Sequence, residues 1–246
     1  MTGREIRAYA HRGGALEACE NSPAAFSGAV SLGYGFLETD VRPTSDGVAV
    51  LHHDATLDRT TDLTGPVRQR SWRQVRRAVL DDGESPWRLE ELLDAFPGAH
   101  VNVDLKEAGV VSPALDAIRR TRAWSRVTIT SFSTARLRTV RRLTPSWVET
   151  SAGPREVVAH RLGVPDWATR GTRLPHRLQV PDRIRGRFVV DAGFLARARA
   201  RSLAVDVWTV NDAADMRRLL DLGVDGIMTD VPSVLREVLV ERGTWT

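Results

Sequence analysis

Residues 36–60, FLETDVRPTSDGVAVLHHDATLDRT, contain two short apolar runs with polar side chains inside or directly after each run. Glu38 and Asp40 are two residues apart in the first run, so in a β-strand both carboxylates point to one face. A Ser-Asp-Gly turn follows, and the second run ends at His52 and His53, of which only one can face the carboxylates. Two acids and an imidazole at neighbouring strand ends indicate a metal site beside an acid/base group.

The composition is that of a soluble globular protein. The chain has 246 residues, 42% hydrophobic and 27% charged, and α/β barrels of this length form one domain. The formal charge of +4 comes from arginines at helical spacing with acids between them, which indicates solvated helix faces rather than a concentrated nucleic-acid-binding patch. Cys19 is the only cysteine, so an intrachain disulfide is excluded.

The sequence has no sign of membrane insertion or export. Its N-terminal region lacks an apolar run long enough for a signal peptide, and no segment approaches membrane-spanning length. We therefore expect a cytoplasmic protein without integral membrane association, and the oligomeric state stays open.

Strand-like and helix-like segments alternate along almost the whole chain. The first strand covers residues 6–10, and Asn-Ser-Pro at 21–23 predicts the start of the first helix. The last strand covers residues 226–230, and Pro232 starts the last helix. About eight such units fit if residues 147–186, where the pattern is weak, contain two strands. This alternation predicts a parallel sheet, either closed as a (β/α)₈ barrel or open and doubly wound.

Two observations favour the closed barrel. No Gly-x-Gly-x-x-Gly motif follows the first strand, which removes the usual dinucleotide-binding signature of the open form. Several polar or aromatic residues lie at or near the C-terminal ends of different predicted strands, where active sites of barrels sit. These residues are His11, Glu38, Asp40, Asp104, Lys106 and Trp208. We therefore predict one α/β domain over residues 1–246, a single (β/α)₈ TIM barrel with a small insertion at about residues 58–86.

Glu38, Asp40 and Asp104 could supply three carboxylates to one pocket. Ligand sets made only of oxygen select a hard cation, Mg²⁺ or Ca²⁺, rather than zinc. The sequence therefore predicts a divalent metal site. Because Glu-x-Asp is a short motif, the alternative is that Glu38 and Asp40 form ion pairs with arginines such as Arg12 or Arg42 and bind no metal.

The remaining candidates are two histidines, two cations and one aromatic residue. His11 and His53 each end a strand beside the acids, which suits general acid–base catalysis near neutral pH. Arg12 and Lys106 would provide fixed positive charges for an anionic, phosphate-like substrate. Trp208 could form a wall of the pocket or belong to the core.

The sequence resembles a known family, the glycerophosphodiester phosphodiesterases. The resemblance is carried by motifs that occur in the family's order and cover the chain nearly end to end. These motifs are His11-Arg12-Gly13, Glu20-Asn21-Ser22, Glu38-x-Asp40, His53-Asp54, Asp104-x-Lys106, Ser131-Phe132-Ser133, Val207–Asn211 and Gly223–Asp230. Residues 147–187 match the family weakly.

The resemblance implies a barrel enzyme of glycerol and lipid metabolism that hydrolyses small-molecule glycerophosphodiesters to glycerol 3-phosphate and an alcohol. Carried over by motif, the acid/base pair is His11 and His53, the metal ligands are Glu38, Asp40 and Asp104, and Arg12 and Lys106 hold the phosphate. We take His11 as the base and His53 as the acid. The attacking oxygen is either a hydroxyl of the substrate, giving a cyclic intermediate, or water.

One position departs from the family pattern. Glutamate is common where this chain has Asp104, whereas the related sphingomyelinase D enzymes use aspartate there. One alternative is therefore a phospholipase-D-like activity on lysophospholipids or sphingolipids. It needs an apolar surface near the rim, and the sequence of residues 58–86 does not identify one, although Trp72 and Trp87 lie in or beside this segment. The other alternative is a non-catalytic barrel that binds phosphate-bearing ligands.

Overall fold

The protein is built on eight parallel strands, in a computed structural model that describes residues 6–164 and 173–245. In chain order the strands are β1 (Arg7–His11), β2 (Phe36–Pro43), β3 (Ala49–Leu51), β4 (His100–Leu105), β5 (Val127–Thr130), β6 (Glu149–Thr150), β7 (Arg177–Pro181), β8 (Arg183–Ile184), β9 (Arg187–Phe188), β10 (Ala204–Trp208) and β11 (Gly226–Thr229). Three of them are extra to the parallel set: β3 pairs antiparallel with β2, and β8 and β9 form a separate hairpin.

The helices are α1 (Pro23–Ser31), α2 (Trp72–Val75), α3 (Leu89–Ala95), α4 (Val111–Arg120), α5 (Thr134–Leu143), α6 (Pro154–Arg161), α7 (Ala192–Ala200), α8 (Ala213–Leu222) and α9 (Pro232–Glu241). Their ends follow the sequence signals. The Ser22 side chain caps α1 by accepting a hydrogen bond from the Ala25 amide, with proline at the first turn. Asp212 caps α8, which ends at Gly223 in the left-handed conformation. No helix of the described residues is long and apolar enough to cross a bilayer.

The parallel strands close into a barrel in the order β6-β5-β4-β2-β1-β11-β10-β7. Between the two outer strands of this order, β6 and β7, Ser151 forms a parallel bridge with Arg177, and the Ala152 amide donates to the Arg177 carbonyl at 2.7 Å. The predicted (β/α)₈ barrel is therefore confirmed. Because all eight strands run in one direction, their C-terminal ends meet at one rim.

The main hydrophobic core lies between the outside of the barrel and the helices. The largest apolar side chains in it are completely or almost completely buried, as in Phe26, Leu92, Ile118, Phe194 and Leu235. Burying one such side chain stabilises the fold by about 1.5–3 kcal/mol. The helical periodicity seen in the sequence is thus the pattern of contact with the sheet.

The middle of the barrel interior contains polar residues that bond to one another. Asp206 on β10 is fully buried, and the Arg177 Nε atom on β7 lies 2.6 Å from its Oδ2 atom. Gln179 Nε2 donates to Asn102 Oδ1 at 2.8 Å and to Asp206 Oδ2 at 3.2 Å. Tyr9 Oη donates to Asp206 Oδ2 at 3.4 Å. A buried charge requires such partners, because desolvation costs several kcal/mol per ion.

Residues 58–86, the predicted insertion, contribute to a second and smaller apolar cluster. Val67 and Val75 pack there with Val50 and Leu57, apart from the main core. Helix α2 lies in this segment. The cluster gives the segment its own packing beside the β2–β3 hairpin.

The weakly patterned region, residues 147–186, contains β6, α6, β7 and one strand of the β8–β9 hairpin, and its residues 165–172 lie outside the described residues. Strand β6 has only two residues, too few for visible alternation. Strand β7 turns Arg177 and Gln179 toward the polar interior, so its inward positions do not read as apolar. Both reasons explain why the sequence places these two barrel strands only loosely.

We expect Arg177→Met to lower the free energy of unfolding by about 3–5 kcal/mol, because Asp206 would stay buried without its cation. The change is measured by urea denaturation followed by circular dichroism. Arg161→Met is the matched control. Arg161 pairs with Asp191 at 2.6 Å, but both side chains are more than 40% exposed, so its loss should cost about 1 kcal/mol or less. Equal losses in the two variants would contradict the importance of the interior pair.

Candidate active site

The loop after β1 carries the first two site residues and is held in an unusual backbone conformation. Arg12 has φ +53° and Gly13 has φ +82°, both in the left-handed region. A Cβ atom at Gly13 would lie 2.6 Å from Ala25 Cβ, so only glycine allows this loop to contact α1 so closely. The close contact fixes the direction in which His11 and Arg12 leave the barrel.

Strands β2 and β4 bring Asp40 and Asp104 to the same level of the rim, and Glu38 lies two residues deeper on β2. Glu38 and Asp40 lie two residues apart on β2, and Asp40 is in register with Asp104 on β4. All three side chains are at least 95% buried. Glu38 is also in register with His11 on β1. Glu38 and Asp40 point to one face as predicted, and this face brings the acids beside His11.

Two cations balance Asp40. Lys106 Nζ lies 2.6 Å from Asp40 Oδ1 and 2.6 Å from Asp104 Oδ2, and Arg12 Nε lies 2.9 Å from Asp40 Oδ2. Burial raises the pKa of Asp40, but the charges of Lys106 and Arg12 outweigh it and lower the net pKa. The sequence analysis offered Arg12 or Arg42 as ion-pair partners of these acids. Arg12 does pair with Asp40, whereas Arg42 pairs with Glu107.

Glu38 is the least compensated of the three acids. Its Oε2 atom accepts a hydrogen bond from the Arg12 amide at 3.1 Å and lies 3.7 Å from His11 Nε2. Burial, and then the charge of Asp40, raise the pKa of Glu38 to about 7. Burial likewise raises the pKa of Asp104. The site holds more negative charge than its two cations neutralise.

This surplus bears on the predicted metal site. Within residues 6–164 and 173–245, no group of three Asp, Glu, His or Cys side chains surrounds one point closely enough to hold a metal ion as arranged. Lys106 lies between Asp40 and Asp104 instead. The Oδ1 atom of Asp104 is buried without a hydrogen-bond partner, and a donor set of carboxylate oxygens is the one that Mg²⁺ and Ca²⁺ prefer. The donor chemistry of the three acids therefore suits a hard cation, whereas their arrangement in this structure does not form a metal-binding cluster.

The two candidate histidines are oriented in the same way. His11 Nδ1 lies 2.6 Å from Asp230 Oδ1, and His53 Nδ1 lies 2.6 Å from Asp54 Oδ1. The hydrogen bond with His11 lowers the pKa of Asp230. Interactions with Arg59 and His53 lower the pKa of Asp54. Ionised carboxylates only accept hydrogen bonds, so each Nδ1 carries the proton. The Nε2 atom of each ring is left for proton transfer.

The pKa of His11 is raised. Burial lowers it, but the carboxylates of Glu38 and Asp230 outweigh burial.

His52 is buried, and its Nε2 atom lies 2.8 Å from the Thr56 carbonyl oxygen. Only His53 of the adjacent pair lines the cavity at the rim, as expected, although both residues lie beyond the end of β3.

A cavity of ≈ 190 Å³ opens at the C-terminal rim of the barrel. The eight residues predicted from the sequence all line it: His11, Arg12, Glu38, Asp40, His53, Asp104, Lys106 and Trp208. Six further residues, which the sequence analysis did not name as site candidates, complete the lining: Asn102, Thr130, Phe132, Gln179, Thr209 and Met228. The structure thus brings every predicted site residue to one place.

A network that the sequence analysis missed joins the two histidine loops. Glu20 accepts hydrogen bonds from Arg12 Nη1 at 3.2 Å and from Arg59 Nη2 at 2.6 Å. Arg59 Nε donates in turn to Asp54 Oδ2 at 2.6 Å, and Asp54 holds His53. These residues occur in the quoted motifs or beside them, but their roles depend on contacts between distant loops. Asp230, the partner of His11, could have been found from its position directly after the last strand.

Two positioned imidazoles, fixed cations and surplus carboxylates on a barrel rim are what hydrolysis of an anionic ester requires. A sequence model of the glycerophosphoryl diester phosphodiesterase family matches residues 11–234. The chain therefore belongs to this family, and the predicted family and enzyme class are confirmed.

Individual relatives agree with the assignment. The chain is 41% identical over 243 residues to a probable glycerophosphodiester phosphodiesterase 2 of Mycobacterium tuberculosis, covering 97% of this chain and 92% of the relative. A crystal structure of a putative glycerophosphoryl diester phosphodiesterase from Silicibacter pomeroyi superposes with a TM-score of 0.81 at 27% identity, covering 99% and 96% of the two chains. An Oleispira antarctica phosphodiesterase in complex with the product sn-glycerol-3-phosphate has the same fold, with a TM-score of 0.79 at 18% identity and coverages of 96% and 97%.

We expect Gly13→Ala to lower the free energy of unfolding by about 2–4 kcal/mol, because left-handed strain and overpacking against α1 add. Gly47→Ala is the matched control. Gly47 has φ +75°, and no atom lies within 4 Å of its added Cβ, so only the strain of about 1–2 kcal/mol applies. Urea denaturation of both variants measures the difference, and equal losses would show that contact with Ala25 does not constrain the loop.

Proposed function

We propose that this protein hydrolyses glycerophosphodiesters to glycerol 3-phosphate and an alcohol, by histidine acid–base catalysis that depends on Mg²⁺ or Ca²⁺. The observation that carries the proposal is that His11 and His53, each fixed at Nδ1 by a carboxylate, line one cavity with Arg12 and Lys106. The names of the relatives, and the product bound in the Oleispira antarctica structure, support the choice of substrate.

In the proposed reaction a new phosphorus–oxygen bond forms and the bond from phosphorus to the alcohol oxygen breaks. His11 Nε2 accepts the proton of the attacking oxygen, and His53 Nε2 donates a proton to the departing alcohol oxygen. Asp230 and Asp54 stabilise the protonated forms of the two rings while they hold them in place. Water supplies the added hydroxyl and proton overall, either by direct attack or by opening a cyclic phosphate.

Arg12 and Lys106 bind the phosphate in this proposal. Both side chains are fixed by acids before substrate arrives, so little reorganisation accompanies binding. Glu38, Asp40 and Asp104 would hold the divalent cation, which supplies additional positive charge to the phosphate oxygens. Trp208, at the end of β10, forms a wall of the cavity.

The alternative of a non-catalytic phosphate-binding barrel accounts for fewer of these residues. A binder requires the cations of Arg12 and Lys106. It does not require two imidazoles whose Nδ1 atoms are each 2.6 Å from a carboxylate, an arrangement that serves proton transfer from Nε2. The paired histidines therefore favour the enzyme.

The proposal is tested by release of glycerol 3-phosphate from glycerophosphocholine, glycerophosphoethanolamine, glycerophosphoglycerol and glycerophosphoinositol. We expect release that EDTA stops and that added Mg²⁺ or Ca²⁺ restores, because the surplus carboxylates require a cation. Activity that survives EDTA would contradict metal dependence. No release from any of the diesters, with folded protein and both metals present, would overturn the proposed function.

We expect His11→Ala and His53→Ala each to lower kcat by about 10²–10⁴-fold, because each removes one proton transfer. Steady-state kinetics on the preferred diester measure the effect, with circular dichroism to verify folding. His176→Ala is the control: the Nδ1 atom of His176 accepts from the Thr150 amide, and the residue does not line the rim cavity, so kcat should be retained. Wild-type kcat in either site variant would exclude that histidine from catalysis.

A further inference from the structure

The β8–β9 hairpin carries an unusual combination of side chains. Its strands pair antiparallel, with Arg183 opposite Phe188 and Ile184 opposite Arg187. All of residues 183–188 are exposed to solvent, and arginines alternate there with two large apolar residues and a glycine. A hairpin that only connects β7 to α7 does not require this composition, so its exposed side chains call for a separate explanation.

The turn of the hairpin does not account for the arginine at its tip. Arg185 has φ +51° and Gly186 has φ +78°, the left-handed values of a two-residue type I′ turn. Asn, Asp or Gly is the usual residue at such positions, because a longer side chain is strained there. The arginine is therefore explained by what its guanidinium can contact outside the hairpin.

Contacts at the base of the hairpin hold it in place while its tip stays exposed. The Val189 amide donates to the Asp182 carbonyl at 2.8 Å, and Arg218 Nη2 donates to Asp182 Oδ2 at 2.7 Å. The Phe188 ring centroid lies 4.6 Å from Arg183 Cζ and 4.3 Å from Arg218 Cζ. These contacts support a two-stranded hairpin that would be marginally stable alone, and they fix the direction in which it projects.

The outer face of α6 continues the surface of the hairpin. Val158 on α6 and Ile184 on β8 line one cavity, so the two elements are neighbours. Arg155, Val158 and Leu162 are spaced three and four residues apart and share one face of the helix. Val158 and Ile184 are each 57% exposed, and Leu162 is 73% exposed. We call the following residues the hairpin–α6 surface: Arg155, Val158, Leu162, Ile184, Arg185 and Arg187.

The arginines of the hairpin–α6 surface have no acidic partner. Within residues 6–164 and 173–245, no carboxylate forms an ion pair with Arg155, Arg185 or Arg187. The neighbouring Arg183, in contrast, pairs with Asp215 at 2.9 Å. Single exposed apolar residues are ordinary, but here they lie in a group among uncompensated positive charges. This combination is complementary to a surface that is negatively charged outside and apolar beneath.

We propose that the hairpin–α6 surface docks on an anionic lipid bilayer. Anionic head groups attract the arginines, and the aliphatic side chains between them are stabilised by entering the boundary between head groups and acyl chains. The long stems of arginine allow the charges to stay at the level of the head groups. A nucleic acid would match the charges alone, because Val158, Leu162 and Ile184 have no ring on which a base can stack.

Docking by this surface would bring the active site to the lipid. The cavity that Val158 and Ile184 line shares Phe132 and Trp208 with the active-site cavity, so the surface lies at the catalytic rim. A glycerophosphodiester is what remains when both acyl chains are removed from a membrane phospholipid, and that deacylation takes place at the bilayer. Docking is independent of the proposed function, but together with it places the enzyme where its substrate is released.

The test measures co-sedimentation with vesicles of phosphatidylcholine alone and of phosphatidylcholine with about 30% phosphatidylglycerol, at about 50 and 300 mM NaCl. The charge variant combines Arg185→Glu with Arg187→Glu. Its matched control combines Arg73→Glu with Arg76→Glu, which reverses the same number of charges. Arg73 lies on α2 and Arg76 directly follows it, both are exposed, and neither pairs with an acid among the described residues.

A second pair of variants tests the apolar contribution. Ile184→Ser removes an aliphatic side chain from the hairpin–α6 surface. Val240→Ser is its control, since Val240 is 50% exposed on α9 and lies outside this surface. Circular dichroism verifies that all variants are folded.

We expect wild type to bind the vesicles with phosphatidylglycerol at least about tenfold more tightly than the neutral ones, and more weakly as salt rises. The Arg185 and Arg187 pair should lower this affinity at least about tenfold, whereas the Arg73 and Arg76 pair should change it by less than about threefold. Ile184→Ser should lower it about three- to tenfold and Val240→Ser should not.

Several results would overturn the docking surface. Equal losses in the two arginine pairs would show that only net charge attracts the protein. Wild-type affinity of Ile184→Ser would contradict entry of the apolar side chains into the bilayer. Absence of vesicle binding would overturn the proposal, as would binding through Arg185 and Arg187 to a DNA duplex in its place. None of these readouts involves hydrolysis, so they are separate from the outcome of the diester assay.

Discussion

The site depends on the burial of Asp40 between Arg12 and Lys106. A carboxylate removed from water is stable only when opposite charges lie close to it, and here they lie at 2.9 and 2.6 Å. This requirement fixes the loop after β1 and the end of β4 relative to β2. Burial raises the pKa of Glu38 and of Asp104, although Lys106 also contacts Asp104 at 2.6 Å. Under the proposed function, the same ion pairs position both the cations that bind the phosphate and the acids that bind the metal ion.

Contacts with charged side chains also orient the histidines. His11 is held by Asp230, directly after the last strand, and His53 is held by Asp54 in its own loop. Arg59 and Glu20 connect that loop to Arg12, the neighbour of His11, so ion pairs join the two loops that carry the histidines. The barrel supplies the rim, and the network sets the positions of the rings on it. Rings fixed in this way keep the tautomer that acid–base chemistry needs.

Much of this could be predicted from the sequence, for identifiable reasons. The two-residue spacing of Glu38 and Asp40 fixes their common face whatever the rest of the fold does, and the alternation of strands and helices placed the candidates at one rim. The partners of these residues could not be predicted, because Asp230 and Glu20 meet them only after the barrel closes. Strand β7 was obscured because its inward side chains are polar.

The polar interior of the barrel has a consequence for the evolution of this chain. Hydrogen bonds join four polar side chains inside the barrel: Arg177, Asp206, Gln179 and Asn102. A change at one of them leaves its partners buried with fewer hydrogen bonds. Apolar residues between the helices and the barrel can be replaced one at a time, as long as the side-chain volume is conserved. Inside the barrel, accepted changes have to occur in coordinated sets. Among descendants of this sequence, the interior should therefore show strong covariation between β7 and β10, while the helix-facing core shows conservative, independent replacement.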